Sequence, residues 1–417
     1  MTEHVIVADL GYGDAGKGTV VDWLCSHAGS REPVQAVVRF NGGAQAAHNV
    51  VLPDGRQHTF AQFGSGTLRG VPTYLSRYVV VDPLALSAEA AHLVSIGVRD
   101  PYGLVSVDRE ALVATPYHVA AGRRRELARG ADRHGSCGMG VGETMAFALA
   151  RPELAPRAGD CARPRVLAGK LRAVREALGV GGPPVEDCVA AYGAFASAVA
   201  LTDDGHLPRL LRRGPVVFEG AQGVLLDERH GFHPYTTWST TTFGNALDLL
   251  AGVGAARLGV LRTYTTRHGP GPLVTEDPAL ELPERHNGTG PWQGAFRVGH
   301  FDAVAHRYAL EAAGGCDGLA LTHLDALVSR MCVGYEGGAP TVLEARVEEE
   351  RALARQGALT ARLLREKPVY GEPVTDWPAA VSEALGVPVV LGSWGATSRD
   401  KRLLTETGPR LSSGRAA

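Results

Sequence analysis

The chain runs to 417 residues, with 42 Lys and Arg against 44 Asp and Glu, a net charge of -2 and a pI near 6.7. Such a balance offers no electrostatic footprint for nucleic acid, and no stretch approaches the ~18 uninterrupted apolar residues of a membrane span. Its six cysteines, Cys25, Cys137, Cys161, Cys188, Cys316 and Cys332, include no CxxC pair, so neither a zinc site nor a disulfide framework is indicated. The opening MTEHVIVADLG has neither a basic nor an apolar signal region. A soluble cytoplasmic enzyme with reduced thiols is expected.

In chain order, the apolar runs that predict strands are VIVADL at 5–10, AVVRF at 36–40, YVVVDPLAL at 78–86, PVVFEG at 215–220, RLGVLRTY at 257–264, GLALTHLDAL at 318–327 and VPVVLGSW at 387–394. Between them KLRAVREALG at 170–179, AVAHRYALEAAGG at 303–315 and AAVSEALG at 379–386 carry helical patterning. Continuous apolar strands alternating with helices predict an α/β fold, a large and mostly parallel sheet flanked by helices. Gly-Pro clusters at 181–184 and 269–272 mark loops, and no repeat or linker divides the chain. One domain with insertions is expected over 1–405, followed by a flexible tail at 406–417.

The first strand runs into GYGDAGKG, residues 11–18, which satisfies the GxxxxGK of a phosphate-binding loop but puts Gly18 where that pattern wants Ser or Thr. A glycine-rich turn that opens a helix offers backbone N–H groups and a positive helix end to an anion. Lys17 adds a point charge for the terminal phosphates. Without the hydroxyl, Mg2+ needs another hard oxygen ligand. The carboxylate of Asp14 can supply it, and can also take a proton from a second substrate. The plain alternative is a turn aspartate in a glycine-rich bend.

Later segments bear on that choice. RFNGGAQAAHNV at 39–50 ends a strand in a Gly-Gly turn and then offers Gln45, His48 and Asn49. FEGAQGVLLDERHGFHPYTTWSTTTFG at 218–244 follows a buried strand with hydroxyls at Thr236, Thr237, Ser239, Thr240, Thr241 and Thr242, a density suited to phosphate and sugar. THLDAL at 322–327 and GSWGA at 392–396 each follow a strand, where open α/β sheets bind ligands.

Taken together, GDAGKG, FEGAQGVLLDERHG, TTRHGPGPLVTE, FDAVAHRYA and THLD, in that order along residues 4 to about 402, resemble the adenylosuccinate synthetase family. The resemblance implies a GTP- and Mg2+-dependent ligase joining aspartate to inosine monophosphate, on a single-domain α/β fold that is usually a homodimer. It implies that Asp14 is the base at N1 of the purine and a metal ligand, that the Ala47 carbonyl is a second metal ligand, and that His48 is the acid assisting transfer to the purine O6. Gly13, Gly16, Lys17, Gly18 and Asn49 then fall with GTP. Guanine recognition falls to Asp325, which can accept from both N1–H and the 2-amino group, with His323, Ser393 and Gly395 beside it. Gln45, Cys137, Gln222, Thr237, Thr289 and Arg297 fall with the other substrates, and Arg151 matches an arginine contributed by the partner subunit. Taken from the residues alone, His48 could be a strand-end histidine satisfied by its neighbours and Asp325 a helix cap.

Departures from the family's pattern gather on the substrate side. Gln45 stands for asparagine, Ala44 for histidine and Cys137 for a phosphate-binding threonine, and a thiol is a poor donor. On the GTP side His323 replaces lysine, while Trp394 and Ala396 alter the usual STGP. Most of all, Pro291, Trp292, Gln293 and Gly294 occupy the TTGR stretch that grips aspartate, and only Arg297 of its arginine cluster is kept. Losing a bidentate guanidinium removes charge-assisted hydrogen bonds of roughly 1.5–3 kcal/mol each. The expected activity is therefore a GTP-dependent C–N ligase acting on IMP or an IMP-like nucleotide, with aspartate or another amine as donor. The contrasting reading is a non-catalytic GTP-binding paralogue.

Overall fold

The computed structural model describes residues 4–26, 32–284, 287–340 and 349–404; the expected tail at 406–417 lies outside them. A ten-stranded sheet dominates the fold. In chain order its strands are β1 His4–Asp9, β2 Ala36–Arg39, β3 Thr73–Leu75, β4 Val105–Asp108, β5 Ala200–Thr202, β6 Val216–Glu219, β7 Ala255–Arg262, β8 Gly318–Thr322, β9 Val389–Ser393 and β10 Lys401–Leu403. Across the sheet they run β10-β9-β8-β7-β1-β6-β2-β3-β4-β5. Every neighbouring pair is parallel except β9 with β10, so the mostly parallel α/β sheet expected from the sequence is observed.

Both faces of the sheet are covered, which is why its strands read as unbroken apolar runs. Alternate residues of β1 serve opposite faces. Val5 and Val7 pack with Val20, Val21 and Trp23 of the helix α1, Lys17–Leu24. Ile6 and Ala8 join Phe218, Leu261 and Leu319 in a larger core with Val304, Tyr308 and Ala309 of the helix Ala303–Ala312. A further core lies under the helices Pro164–Leu178 and Val185–Ala198. A smaller four-stranded sheet is formed by Tyr264–His268, Phe296–Asp302, Met331–Tyr335 and Pro368–Tyr370.

Two expected strands are shorter than their apolar runs. In 78–86 only Val80–Val81 is extended. Asp82 accepts from Leu84 N–H at 3.0 Å and Ala85 N–H at 3.1 Å, and Pro83 supplies a first helical residue that needs no N–H partner, so the helix Pro83–Ser95 begins there. In 318–327 the strand ends at Thr322, because His323 adopts φ +57° and turns the chain. No described helix is long and apolar enough to cross a membrane.

Asp302 ties the smaller sheet to the helix that follows it. It caps the helix Ala303–Ala312 through Ala305 N–H at 3.0 Å and accepts from the Tyr335 hydroxyl at 2.6 Å. Burial, opposed by these donors, pushes its carboxyl up to about 6 from 3.8. Between those two values the folded protein keeps a proton that the unfolded chain has released, so this group's contribution to stability falls as pH rises through that window. Asparagine can still cap the helix. Relative to Asp302→Asn, the unaltered protein should therefore lose stability from about pH 4 to about pH 7, read from urea midpoints; a constant difference between the two proteins would refute this.

Candidate active site

Parallel strands deliver their following turns to one edge of the sheet. The turn after β1 is shaped by Asp9, whose Oδ1 accepts from Gly11 N–H at 2.8 Å and Gly13 N–H at 3.2 Å, while its Oδ2 accepts from Ala15 N–H at 2.8 Å. Gly16 then takes φ +92°, and α1 starts at Lys17 with no side chain capping it, leaving a helix N-terminus of the kind that binds anions. Lys17 is 2 % exposed and donates to Asp9 Oδ2 at 3.2 Å and to the Gly13 carbonyl at 2.6 Å, so it faces inward.

The absent hydroxyl at Gly18 has a steric cause. A Cβ there would lie 3.0 Å from both the Asn49 carbonyl oxygen and His48 Cβ, because α1 packs against the strand His48–Val51. A serine or threonine would have to push that strand back by a few tenths of an ångström, and the glycine turn's own carboxylate on the cavity wall is Asp14. Its side chain is 22 % exposed, with Oδ2 3.7 Å from His268 Nε2. Burial pushes the Asp14 carboxyl above its ordinary range, while His268, Arg262 and Lys17 pull it down.

The turns after β2 and β6 are tied together by Asn41, which donates to the Ala221 carbonyl at 2.9 Å and accepts from Ala221 N–H at 2.7 Å. Beyond it His48 Nδ1 lies 2.6 Å from Glu219 Oε1, and Glu219 also accepts from Ser65 N–H at 3.0 Å and from the Ser65 hydroxyl. Burial raises the Glu219 carboxyl, but His48, Arg39 and Ser65 outweigh it and hold it at about 2. Burial, reinforced by Arg39, pushes the His48 imidazole down to about 4 against the pull of Glu219. The pair is thus a neutral imidazole and an ionised carboxylate. Since the carboxylate only accepts, Nδ1 carries the proton and Nε2 is left to meet a ligand.

Gly13, Asp14, Gln45, Ala47, His48, Cys137, Gln222 and Thr237 all line one cavity of about 960 Å³, at the upper end of small-molecule pockets. Gln222 is held at φ +57°, and Gly223 next to it approaches Gly11 so closely that a Cβ would sit 2.2 Å from the Gly11 carbonyl oxygen. Both amide atoms of Gln45 and Oε1 of Gln222 are buried without a partner, a cost that a ligand would remove. Thr240 and Thr241 donate to Glu228, Gly223 and Asp227, and Ser239 and Thr242 accept from the Gly42 and Gly244 N–H groups, so these four hydroxyls brace the β6 turn. Thr236, Thr237, Thr240 and Thr242 line the cavity.

His323, Asp325, Ser393 and Gly395 lie after β8 and β9. Asp325 is exposed. His323 meets Thr322 Oγ1 through Nδ1 at 2.8 Å and packs edge-on against Tyr264. Ser393 is buried and donates to the Gly395 carbonyl at 3.1 Å. Thr19 on α1 donates to the Ala396 carbonyl at 2.8 Å, joining this corner to the glycine turn.

Other expected residues stand apart. Asn49 Oδ1 accepts from Thr59 at 2.5 Å, and Arg151 is exposed at the end of the helix Val141–Ala150. Thr289 and Arg297 do not border the cavity. Arg297 pairs with both oxygens of Glu276 and donates to the Gly269 and Gly271 carbonyls at 2.9 Å. The stretch before it closes on itself through reciprocal Gly290–Gly294 hydrogen bonds. Trp292 there packs on Gly138 beneath the Arg123 guanidinium, 5.2 Å from the ring centre. Sequence reasoning missed Asp9, Glu219, Ser65 and His268, whose partners are distant in the chain or, for Asp9, hidden inside a turn.

A glycine turn opening a helix, a carboxylate and a buried histidine at one large polar cavity, all on the carboxyl edge of a parallel sheet, define a nucleotide-dependent enzyme of the α/β class. Residues 6–384 match the adenylosuccinate synthetase family. Adenylosuccinate synthetase of Neisseria gonorrhoeae is 34 % identical over 368 residues, covering 82 % of this chain and 83 % of that protein. The enzyme of that name in Pseudomonas putida is 33 % identical over 432 aligned positions, covering 95 % and 97 %. In fold, the chain is similar to the fully ligated adenylosuccinate synthetase of Plasmodium falciparum, with TM-score 0.78, 19 % identity and coverage of 97 % and 100 %. It is also similar to the succinoaminodeoxyadenylate synthetase of cyanophage S-2L, solved with dGMP and with dATP as an energy donor, with TM-score 0.61, 19 % identity and coverage of 98 % and 97 %. The chain belongs to the adenylosuccinate synthetase family, a family of GTP-dependent ligases.

Because Glu219 is the fixed partner of His48, Glu219→Gln should lower kcat by at least about tenfold, the weight of one charge-assisted hydrogen bond, with little change in nucleotide KM. Steady-state kinetics with unchanged kcat would remove Glu219 from the site's function.

Proposed function

We propose that the cavity binds IMP or a closely related purine nucleotide with its 6-oxo group between Asp14 and His48, and that GTP occupies the glycine turn with its base toward Asp325. The observation that carries this reading is the placement of Asp14 and the Glu219-bound His48 on one cavity wall. Asp14 removes the N1 proton, so the ring's electron pair moves onto O6, which attacks the γ-phosphorus and releases GDP. The amine donor then adds at C6 and inorganic phosphate leaves. His48 is neutral beside Glu219 alone and becomes a donor when phosphate charge approaches Nε2 and draws its pKa upward, with Glu219 behind it steadying the imidazolium.

Asp14 and the Ala47 carbonyl are hard oxygen donors on the same wall, which suits Mg2+. Bound there, the ion would neutralise charge on the transferring phosphoryl group. Asp325 supports guanine over adenine because its two oxygens can accept from guanine N1–H and the 2-amino group together, a paired donor set that adenine lacks. Arg151, exposed and outside the cavity, supports a homodimer in which each copy lends this residue to the other.

Asp14 and His48 are both present, which favours catalysis over a non-catalytic GTP-binding role. The donor is less tightly bound to precedent. Arg297 is fully engaged by Glu276 and two carbonyls, and this supports a second reading in which an amine other than aspartate is used. GDP release measured with GTP and Mg2+ over IMP and its analogues, crossed with aspartate and other amines, separates the two: efficient turnover on IMP and aspartate alone rejects the second reading. Asp14→Ala should abolish turnover, by at least about a thousandfold if base and metal ligand are lost together. Retention of most activity sinks the base assignment. Asp325→Asn should erode the preference for GTP over ATP, and an unaltered ratio of their kcat/KM values counts against the guanine site.

A further inference from the structure

The glycine turn contains a charged group that phosphate binding does not require. Asp9, the last residue of β1, is 1 % exposed and meets four donors: Gly11 N–H, Gly13 N–H, Ala15 N–H and Lys17 Nζ. Three backbone N–H groups and a lysine gathered on one anion is the arrangement such a turn offers a phosphate. Here the chain's own carboxylate fills it from the sheet side.

Two consequences follow for an incoming nucleotide. The amides of Gly11, Gly13 and Ala15 are already committed, so phosphate is left with the uncapped N-terminus of α1 and with Lys17. Lys17 is itself turned away, its Nζ 3.2 Å from Asp9 Oδ2 and 2.6 Å from the Gly13 carbonyl. It can leave at low cost, since Asp9 then keeps three backbone donors and no bare carboxylate is stranded in the interior.

We propose that Asp9 is a positioning residue that fills the anion position of the glycine turn from the sheet side, fixing the turn and holding Lys17, which crosses to the terminal phosphates when a nucleoside triphosphate binds. This rests on the GTP-ligase reading above. Held in this way, Lys17 makes Asp9 a brake on nucleotide affinity that acts only through that lysine.

A double-mutant cycle of Asp9→Asn and Lys17→Met tests the coupling, with dissociation constants for a non-hydrolysable GTP analogue measured by calorimetry. Asparagine keeps an oxygen for Gly11 and Gly13 and removes the charge that holds the lysine. Binding should respond at least about threefold more favourably to Asp9→Asn when Lys17 is present than in the Lys17→Met background. Equal responses in the two backgrounds, or the opposite order, overturn the holding role. A crystal structure of the unaltered protein with the same analogue and Mg2+ gives a check independent of variant folding. Lys17 Nζ on phosphate and out of hydrogen-bond reach of Asp9 is the expected result, whereas Nζ still on Asp9 beside bound nucleotide overturns the proposal alone. A protein that takes up no guanine nucleotide overturns the ligase reading, and this inference with it.

Discussion

The position of β1 between β6 and β7 is the constraint from which the site's geometry follows. Its turn and the turn after β6 touch backbone to backbone, with Gly223 against the Gly11 carbonyl, and the turn after β2 is locked to the same place by Asn41 and Ala221. All three strands are parallel, so three segments far apart in the chain end on one edge within hydrogen-bond reach. Asp14, His48 and Gln222 are brought together by this sheet order rather than by any contact among themselves. Side chains at the reacting centre need such a rigid frame, because small misplacements are expensive in rate.

Around that frame, most of the positive charge near the cavity is already matched. Arg267 gives its donors to the Pro270, Pro272 and Tyr235 carbonyls, Arg129 pairs with Glu126 at 2.6 Å, and Arg125 reaches Glu143 at 3.2 Å. Among the described residues, the buried side-chain atoms that the wall leaves without partners include both amide atoms of Gln45, Oε1 of Gln222 and Nδ1 of His230 and His268. Neutral amides orient a heterocycle by pairing with its donors and acceptors without imposing a net charge. Beside these amides stand two carboxylates, Asp14 on the cavity wall and Glu219 behind His48.

The sequence was most readable where one contiguous stretch carried both structure and chemistry. The strand into GYGDAGKG, the buried strand before GAQG and the turn THLD were legible because apolar runs, glycine turns and polar tips lie side by side. Pairings across long separations were not legible: His48 and Glu219 are 171 positions apart, and only the β2–β6 pairing sets them face to face. The run 78–86 misled because hydrophobicity does not distinguish a strand from the start of a buried helix, and the deciding signal was the Asp82-Pro83 cap. Arg297 was readable as a cation but not as a committed one, since its partner Glu276 belongs to a neighbouring loop.

Gly18 and the role proposed for Asp14 meet in one packing arrangement. α1 lies so close to the strand His48–Val51 that a Cβ at Gly18 would come 3.0 Å from the Asn49 carbonyl oxygen and from His48 Cβ, and that closeness is also what seats His48 beside the glycine turn. In the role proposed for it, the Asp14 carboxylate serves both a cation and a proton, so it cannot spend its oxygens on holding itself in place. The chain solves this through the backbone: Arg262, 7 % exposed and braced by Tyr264 and Glu284, donates through Nε to the Asp14 carbonyl at 2.5 Å. The main chain at Asp14 is thereby gripped from behind, while its carboxylate stays on the cavity wall with His268 3.7 Å away. Fixing a reactive group by its peptide rather than its side chain keeps the geometry without consuming the chemistry.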